Sequence, residues 1–255
     1  MSNPTERHQH IMGRIQREGS VHVVDLCDDL SVSSVTIRKD LKLLEDKKLL
    51  FRTHGGATLV NPYAADRPVL EKAKIHSVEK SAIGKAAAQL IEPNDCILIA
   101  SGTSVLSFAM SIQPKGHLTV ITSALNVAVE LINRPDIEVI TLGGQLRKSS
   151  SSVTGTHAEK MLDDFSCSKL FLGVDGIDTE FGLTTTNMME AQLNRKMIAA
   201  SQKTIVLADS SKFGKRAFGK ICSLEEIEQV ITDSNVSDHT ADRVRGAGIE
   251  LTIAS

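Results

Sequence analysis

The chain has no pair of cysteines spaced to share a metal. Its four cysteines, Cys27, Cys96, Cys167 and Cys222, are scattered over 255 residues without a C-x-x-C, which argues against both a zinc site and a disulfide framework. It also lacks an N-terminal apolar run and any stretch long enough to span a bilayer, so a cytoplasmic protein with no membrane partner is expected. Neither charge is in excess. With 29 Lys and Arg against 31 Asp and Glu, the formal net charge is −2, which argues against a histone-like nonspecific binder but does not exclude a protein whose cations lie on one face. Within the N-terminal segment Asp25, Asp28, Asp29 and Glu45 offset the basic groups. His8 and His10 are read as solvated tail residues, and neither a metal nor any other cofactor is expected.

The composition, 41% hydrophobic and 24% charged, is that of a globular protein with room for a small N-terminal module and one medium domain. The segment from Ser31 to Ala57 is the most informative. Ile37, Leu41 and Leu44 fall at i, i+4 and i+7, which predicts a helix with one apolar face. Ser33 or Ser34 can cap it, because a serine hydroxyl accepts from the first free N–H groups. The opposite face carries Thr36, Arg38, Lys39 and Lys42, a mixture of hydroxyl and cations suited to base edges and phosphates in a major groove. Alone, this pattern also fits an ordinary amphipathic surface helix. Its neighbours add weight: Val21–Leu30 reads as a short preceding helix at helix-turn-helix spacing, and Leu49–Leu59 as a small β wing in which Arg52 and His54 alternate outward. A further helix is expected over Thr5–Glu18, ended by Gly19. The DNA module is expected to occupy residues 1–59, a linker punctuated by Asn61-Pro62 and Arg67-Pro68 residues 60–74, and a second domain residues 75–255.

In the second domain apolar runs alternate with helical patterns. Strands are expected at Cys96–Ala100, Leu118–Thr122, Ile137–Leu142, Leu170–Val174, Thr204–Ala208, Val230–Thr232 and Ile249–Ile253. Helices are expected over His76–Ile91, from the turn after Ala100 to Ile112, over Ala124–Asn133 and from Met188 to Ser201. The fold class is therefore α/β, a doubly wound, mainly parallel sheet behind a winged helix-turn-helix. Ligands of such sheets bind at the carboxyl ends of the strands. There the loops hold Ser101, Gly102, Thr103 and Ser104 at a helix start, a plausible phosphate cradle; Arg147 with Lys148 beside Gly143-Gly144; Asp175, Gly176 and Asp178, whose carboxylates suit sugar hydroxyls or simply cap turns; and Lys212 in Asp209-Ser210-Ser211-Lys212. Hydroxyls, carboxylates and cations from four loops describe a sugar-phosphate pocket.

VSSVTIRKDL and LFRTHGGA resemble the V-S-x-x-T-I-R-[RK]-D-L and L-x-R-x-H-G-G-A segments of the DeoR family of bacterial transcriptional repressors. The likeness continues through SGTS, GGQLR, GVDGI and DSSKF. Ala100 stands where the family usually has an aspartate, and Ser123-Ala124 replaces the end of a T-N-S turn. The resemblance implies a homo-oligomer, dimer or tetramer, that binds double-stranded operator DNA through Ser33, Ser34, Thr36, Arg38, Lys39, Lys42, Arg52 and His54 and responds to a phosphorylated sugar.

The second domain also resembles ribose-5-phosphate isomerase through VDGID and ADSSK, so a phosphosugar isomerase is the rival reading. In the helix AQLNRKMIAAS, Lys196 takes the place of that enzyme's basic glutamate, and Asn187 that of a lysine. A protonated lysine cannot accept a substrate proton at neutral pH. A receptor with no catalytic residue is expected.

Overall fold

The computed structural model describes residues 3–47, 49–53, 55–58 and 68–255. The chain divides into two compact units, Met1–Ala65 and Asp66–Ser255.

The first unit comprises α1 (Pro4–Glu18), β1 (Ser20–His22), α2 (Val23–Leu30), α3 (Ser34–Asp46), β2 (Phe51–Thr53) and β3 (Gly56–Thr58). Asn3 caps α1 through its side chain, and Gly19 ends it in the left-handed conformation. Ile11, Ile15, Leu26, Ile37, Leu41 and Leu44 form its core with Val21, Leu50 and Ala57. The predicted helix at Val21–Leu30 starts two residues later. Val21 instead pairs with Ala57 as the third strand of the wing sheet, whose order is β1-β3-β2. A side chain at Gly56 would place its Cβ 1.8 Å from the Val21 carbonyl oxygen, so this close strand approach requires glycine.

The second unit begins with α4 (Val69–Lys74) and α5 (Ser77–Ala88). Residues 69–74, read above as part of a linker, are thus helical and lie within this unit. There follow β4 (Cys96–Ile99), α6 (Thr103–Ser111), β5 (Leu118–Thr122), α7 (Leu125–Leu131), β6 (Ile137–Thr141), the hairpin β7 (Gln145–Arg147) and β8 (Ser152–Thr154), and α8 (Thr156–Met161). The rest of the chain forms β9 (Cys167–Gly173), β10 (Gly176–Asp178), β11 (Gly182–Thr185), α9 (Met188–Ala199), β12 (Ser201–Leu207), β13 (Gly219–Cys222), β14 (Gln229–Asp233), α10 (Asp238–Gly246) and β15 (Glu250–Ala254).

Seven strands form one sheet of order β15-β14-β12-β9-β4-β5-β6, and each adjacent pair is parallel. Alternation sorts each strand between two cores. Ile97, Ile99, Phe171, Ile205 and Leu207 pack with residues of α5, α6 and α7, whereas Leu98, Leu170, Leu172 and Val206 pack with residues of α8, α9 and α10. Helices therefore cover both faces. Successive strands run outward in one direction from β4 through β5 to β6, and in the other from β9 through β12 and β14 to β15. The order reverses between β4 and β9, and that crevice is where such sheets bind ligands.

Candidate functional site

In the first unit Ser33 caps α3, accepting from the Thr36 N–H at 3.3 Å, and the two hydroxyls lie 3.0 Å apart. Ser34 is the first helical residue. Arg38, Lys39 and Lys42 are exposed, as the periodicity requires once Ile37, Leu41 and Leu44 are buried. Among the described residues none of these three cations has an ion-pair partner. Arg52 is half exposed on the wing strand β2, its guanidinium 3.6 Å from Glu45 and its N–H donating to the same carboxylate at 2.9 Å. An exposed pair of this kind is weak enough to exchange for phosphate. His54 lies outside the described residues.

Two residues that hold this face were not foreseen. Asp40 follows Ile37 by three and so falls on the buried side of α3, where Arg7 of α1 grips it with Nε at 2.8 Å and Nη2 at 3.1 Å. His8, read above as a tail residue, lies on α1 with Nε2 3.0 Å from the same carboxylate. Burial acts to raise the Asp40 pKa, but Arg7 and His8 hold it below its ordinary value.

In the second unit the turn from Ser101 to Ser104 follows β4 and opens α6, while Asp175 follows β9 across the reversal point. The two strand ends meet closely. A Cβ on Gly173 would fall 2.8 Å from the Ser101 carbonyl oxygen, and Gly102 caps α6 at φ 132°, a conformation that favours glycine. Asp175 is the hub. Its Oδ1 accepts from Lys72 Nζ at 2.8 Å, and its Oδ2 from Thr185 Oγ1 at 3.1 Å and from the Thr186 N–H at 3.1 Å. Burial acts to raise its pKa, yet Lys72 and then Lys212 hold it below the ordinary carboxylate value. The charge of Lys212 therefore reaches Asp175.

Two aspartates build the Lys212 turn. Asp209 caps Ser210–Lys212 through the Ser211 N–H, and Asp233 at the end of β14 accepts from the Ser210 N–H at 2.6 Å. Beneath it Lys80, only 4% exposed, donates to the carbonyls of Lys72 and Ile75. Burial lowers the Lys80 pKa, Asp209 opposes that, and Lys212 adds to it. Lys72 and Lys80 were missed by sequence reasoning. Lys80 left a signal, since it lies three residues before buried Ile83 on the apolar stripe.

Arg147 joins this network indirectly. Its Nε is 3.3 Å from Glu190 Oε1, and Glu190 Oε2 is 3.5 Å from Thr185 Oγ1, which also contacts Asp175. Gly176 and Asp178 are placed differently. A Cβ on Gly176 would meet the Lys215 carbonyl oxygen at 2.4 Å, so strand packing explains that glycine. The Asp178 carboxylate accepts from Arg216 at 2.8 and 3.0 Å and from the Glu180 and Phe181 amides, holding its own turn. Together, Ser101–Ser104, Asp175 and Lys212 gather at the strand ends with Lys72 and Lys80, whereas Gly176 and Asp178 serve the small antiparallel sheet β10-β11-β13.

Each of two family models matches residues within one of the two units. Residues 7–62 match the DeoR-like helix-turn-helix domain and residues 75–234 the DeoR C terminal sensor domain. The chain is 34% identical over 99% of its length, and 95% of the relative's, to the protein assigned as the aga operon transcriptional repressor of Escherichia coli O157:H7. It is 32% identical to the HTH-type transcriptional repressor GlcR of Bacillus subtilis, covering 97% of this chain and 95% of that one. Among solved structures, the sor operon regulator of Shigella flexneri aligns with a TM-score of 0.43 and 14% identity over 66% of this chain and 88% of that one. Ribose 5-phosphate isomerase A of Methanocaldococcus jannaschii aligns with 0.39 and 15% over 54% and 55%. With a matching DNA-binding domain and a matching sensor domain in one chain, and with repressors as full-length relatives, the protein belongs to the DeoR family of transcriptional regulators.

Proposed function

We propose that this repressor controls a sugar-metabolism operon, acting in the cytoplasm as a homo-oligomer, dimer or tetramer, and that a phosphorylated sugar releases it from operator DNA. Paired half-sites need paired modules, which supports an oligomer. On this reading Thr36, Arg38, Lys39 and Lys42 of α3 enter the major groove, with Ser33 and Ser34 at its start and Arg52 and His54 of the wing on the flanking backbone. The sugar phosphate lies over the reversal between β4 and β9. Its phosphate meets Lys212 and the Ser101–Ser104 turn at the start of α6, and its hydroxyls meet Asp175.

The observation that carries this reading is Asp175, held at the strand ends by the Lys72 ammonium at 2.8 Å and by the Thr185 hydroxyl and Thr186 N–H at 3.1 Å. A carboxylate for hydroxyls beside cations for phosphate matches the two chemistries of a sugar phosphate. The enzyme reading has less support. Lys196 is half exposed and pairs with Asp163 at 3.1 Å, and an ammonium has no lone pair with which to take a substrate proton.

A thermal-shift panel of aldose and ketose phosphates, with inorganic phosphate as control and an isomerisation assay on the same preparation, tests the proposal. Stabilisation by at least one sugar phosphate without turnover is expected. Turnover that follows the protein through purification would replace the receptor by an enzyme.

A further inference from the structure

Helix α4 opens the sensor unit, and its polar attachments end on the switch-point site. The Val69 N–H donates to the Ser149 carbonyl at 2.6 Å, in the serine loop that follows Arg147. Lys80, whose charge is felt with those of Asp209 and Lys212, donates to the carbonyls of Lys72 and Ile75 at the end of α4. Lys72 itself reaches across to Asp175 Oδ1 at 2.8 Å. The side chains of this pair are 26% and 20% exposed, so a ligand at the strand ends can reach both partners. The other carboxylate oxygen has its own donors in Thr185 and Thr186, so Asp175 stays in place if Lys72 leaves. Helix α4 is only six residues long, too short to hold its shape without tertiary contacts.

We propose that Lys72 reports occupancy of the site: in the free protein its ammonium tethers α4 to Asp175, and a bound sugar phosphate takes both partners, the phosphate drawing Lys72 and a hydroxyl donating to Asp175, so that α4 is released. The ligand named here rests on the phosphosugar reading above, but the tether is testable without any ligand. In the sequence only residues 59–68 separate the last strand of the DNA-binding unit from α4, which makes α4 the sensor element nearest that unit along the chain. A ligand that binds only by breaking the tether must favour the released state, and if it also releases the operator, as proposed above, then the operator must favour the tethered one.

The test uses the full chain and an operator duplex selected by the parent protein from a random pool. Amide hydrogen exchange and operator affinity are measured for Lys72→Met, Asp175→Asn, Lys72→Arg and, as a control on the same helix, Lys74→Met. Lys72→Met and Asp175→Asn should each speed exchange of the α4 amides and weaken operator binding roughly fivefold or more, while the β9 and β12 amides stay protected. Lys74→Met should match the parent, and Lys72→Arg, which keeps the charge, should restore part of the protection and operator affinity lost in Lys72→Met. Parent-like α4 exchange in Lys72→Met, or an affinity loss without a change in α4, would overturn the proposal. Lost protection in β9 as well would overturn it too, by making Lys72 a structural prop. If no sugar phosphate binds the parent, the ligand reading falls while the tether result stands.

Discussion

Arg7 and Asp40 lie 33 positions apart and meet in a two-point contact, Nε to Oδ2 at 2.8 Å and Nη2 to Oδ1 at 3.1 Å, that fixes helix α3 to α1. Asp40 therefore sets the angle at which Arg38, Lys39 and Lys42 are presented, although it points away from them. We expect Asp40→Asn to lower the melting temperature of the DNA-binding unit and to weaken operator binding on the order of tenfold or more, because Arg7 loses a charged partner. Calorimetry of the full chain should show the sensor transition unmoved.

Arg38 and Lys42 separate reading from holding. Arg38→Ala should weaken operator binding by about 1–3 kcal/mol if its guanidinium reads a base. Lys42→Ala, if it meets phosphate alone, should weaken operator and random duplex alike and reduce the salt dependence of binding. Parent-like operator affinity in both variants, with folding intact, would remove α3 from the groove.

The large sheet was legible because its strands are near-continuous apolar runs, as burial on both faces demands. Cys96–Ile99, Leu118–Thr122 and Gln229–Asp233 were found within two residues of their bounds. The small antiparallel sheet escaped, since Gly176–Asp178 and Gly182–Thr185 are too short and glycine-bearing to show alternation. Val21 and His22 of β1 were absorbed into a helix because β1 borders one and pairs only with a distant strand. Residue types in the strand-end loops pointed to Ser101–Ser104, Arg147, Asp175, Gly176, Asp178 and Lys212, of which Gly176 and Asp178 serve the small antiparallel sheet. Lys72 was hidden in a stretch that Arg67-Pro68 marks as connection, and Lys80 and Glu190 looked like ordinary charges on helices. Only the fold shows which of them turn inward.

Gly173 tests the closeness of β9 to the turn after β4. Gly173→Ala would press a Cβ to 2.8 Å from the Ser101 carbonyl oxygen, at a cost of about 1–3 kcal/mol for such overpacking. Urea unfolding should report the loss. Sugar-phosphate binding should fall more than operator binding, because the displaced turn is proposed to hold the phosphate.

Asp178 gives a signature in acid. Burial acts to raise its pKa, but Arg216 and the amides of Phe181 and Glu180 bring it to about 2 from an ordinary 3.8. A carboxyl depressed in the folded state contributes stability that is complete above its unfolded pKa and is lost as pH falls through its folded one. Asp178→Asn should therefore lower stability at neutral pH by roughly 1–2 kcal/mol, and the difference from the parent should shrink as pH falls from 3.8 toward 2. A difference constant over that range would mean that Asp178 acts through shape and not charge.

Release of the operator by a sugar phosphate bound at Lys212 can be followed directly by the anisotropy of a labelled operator duplex. The complex is titrated with the sugar phosphate that stabilises the free protein, for the parent and for Lys212→Ala. Both proteins should bind the duplex equally, since Lys212 lies outside the DNA-binding unit and is not a partner in the Lys72–Asp175 tether. The parent should release it, and the variant should need about ten- to hundredfold more ligand, the loss expected for one bond to a charged group. Superimposable release curves, or a parent complex that no sugar phosphate dissociates, would contradict a phosphosugar switch at this site.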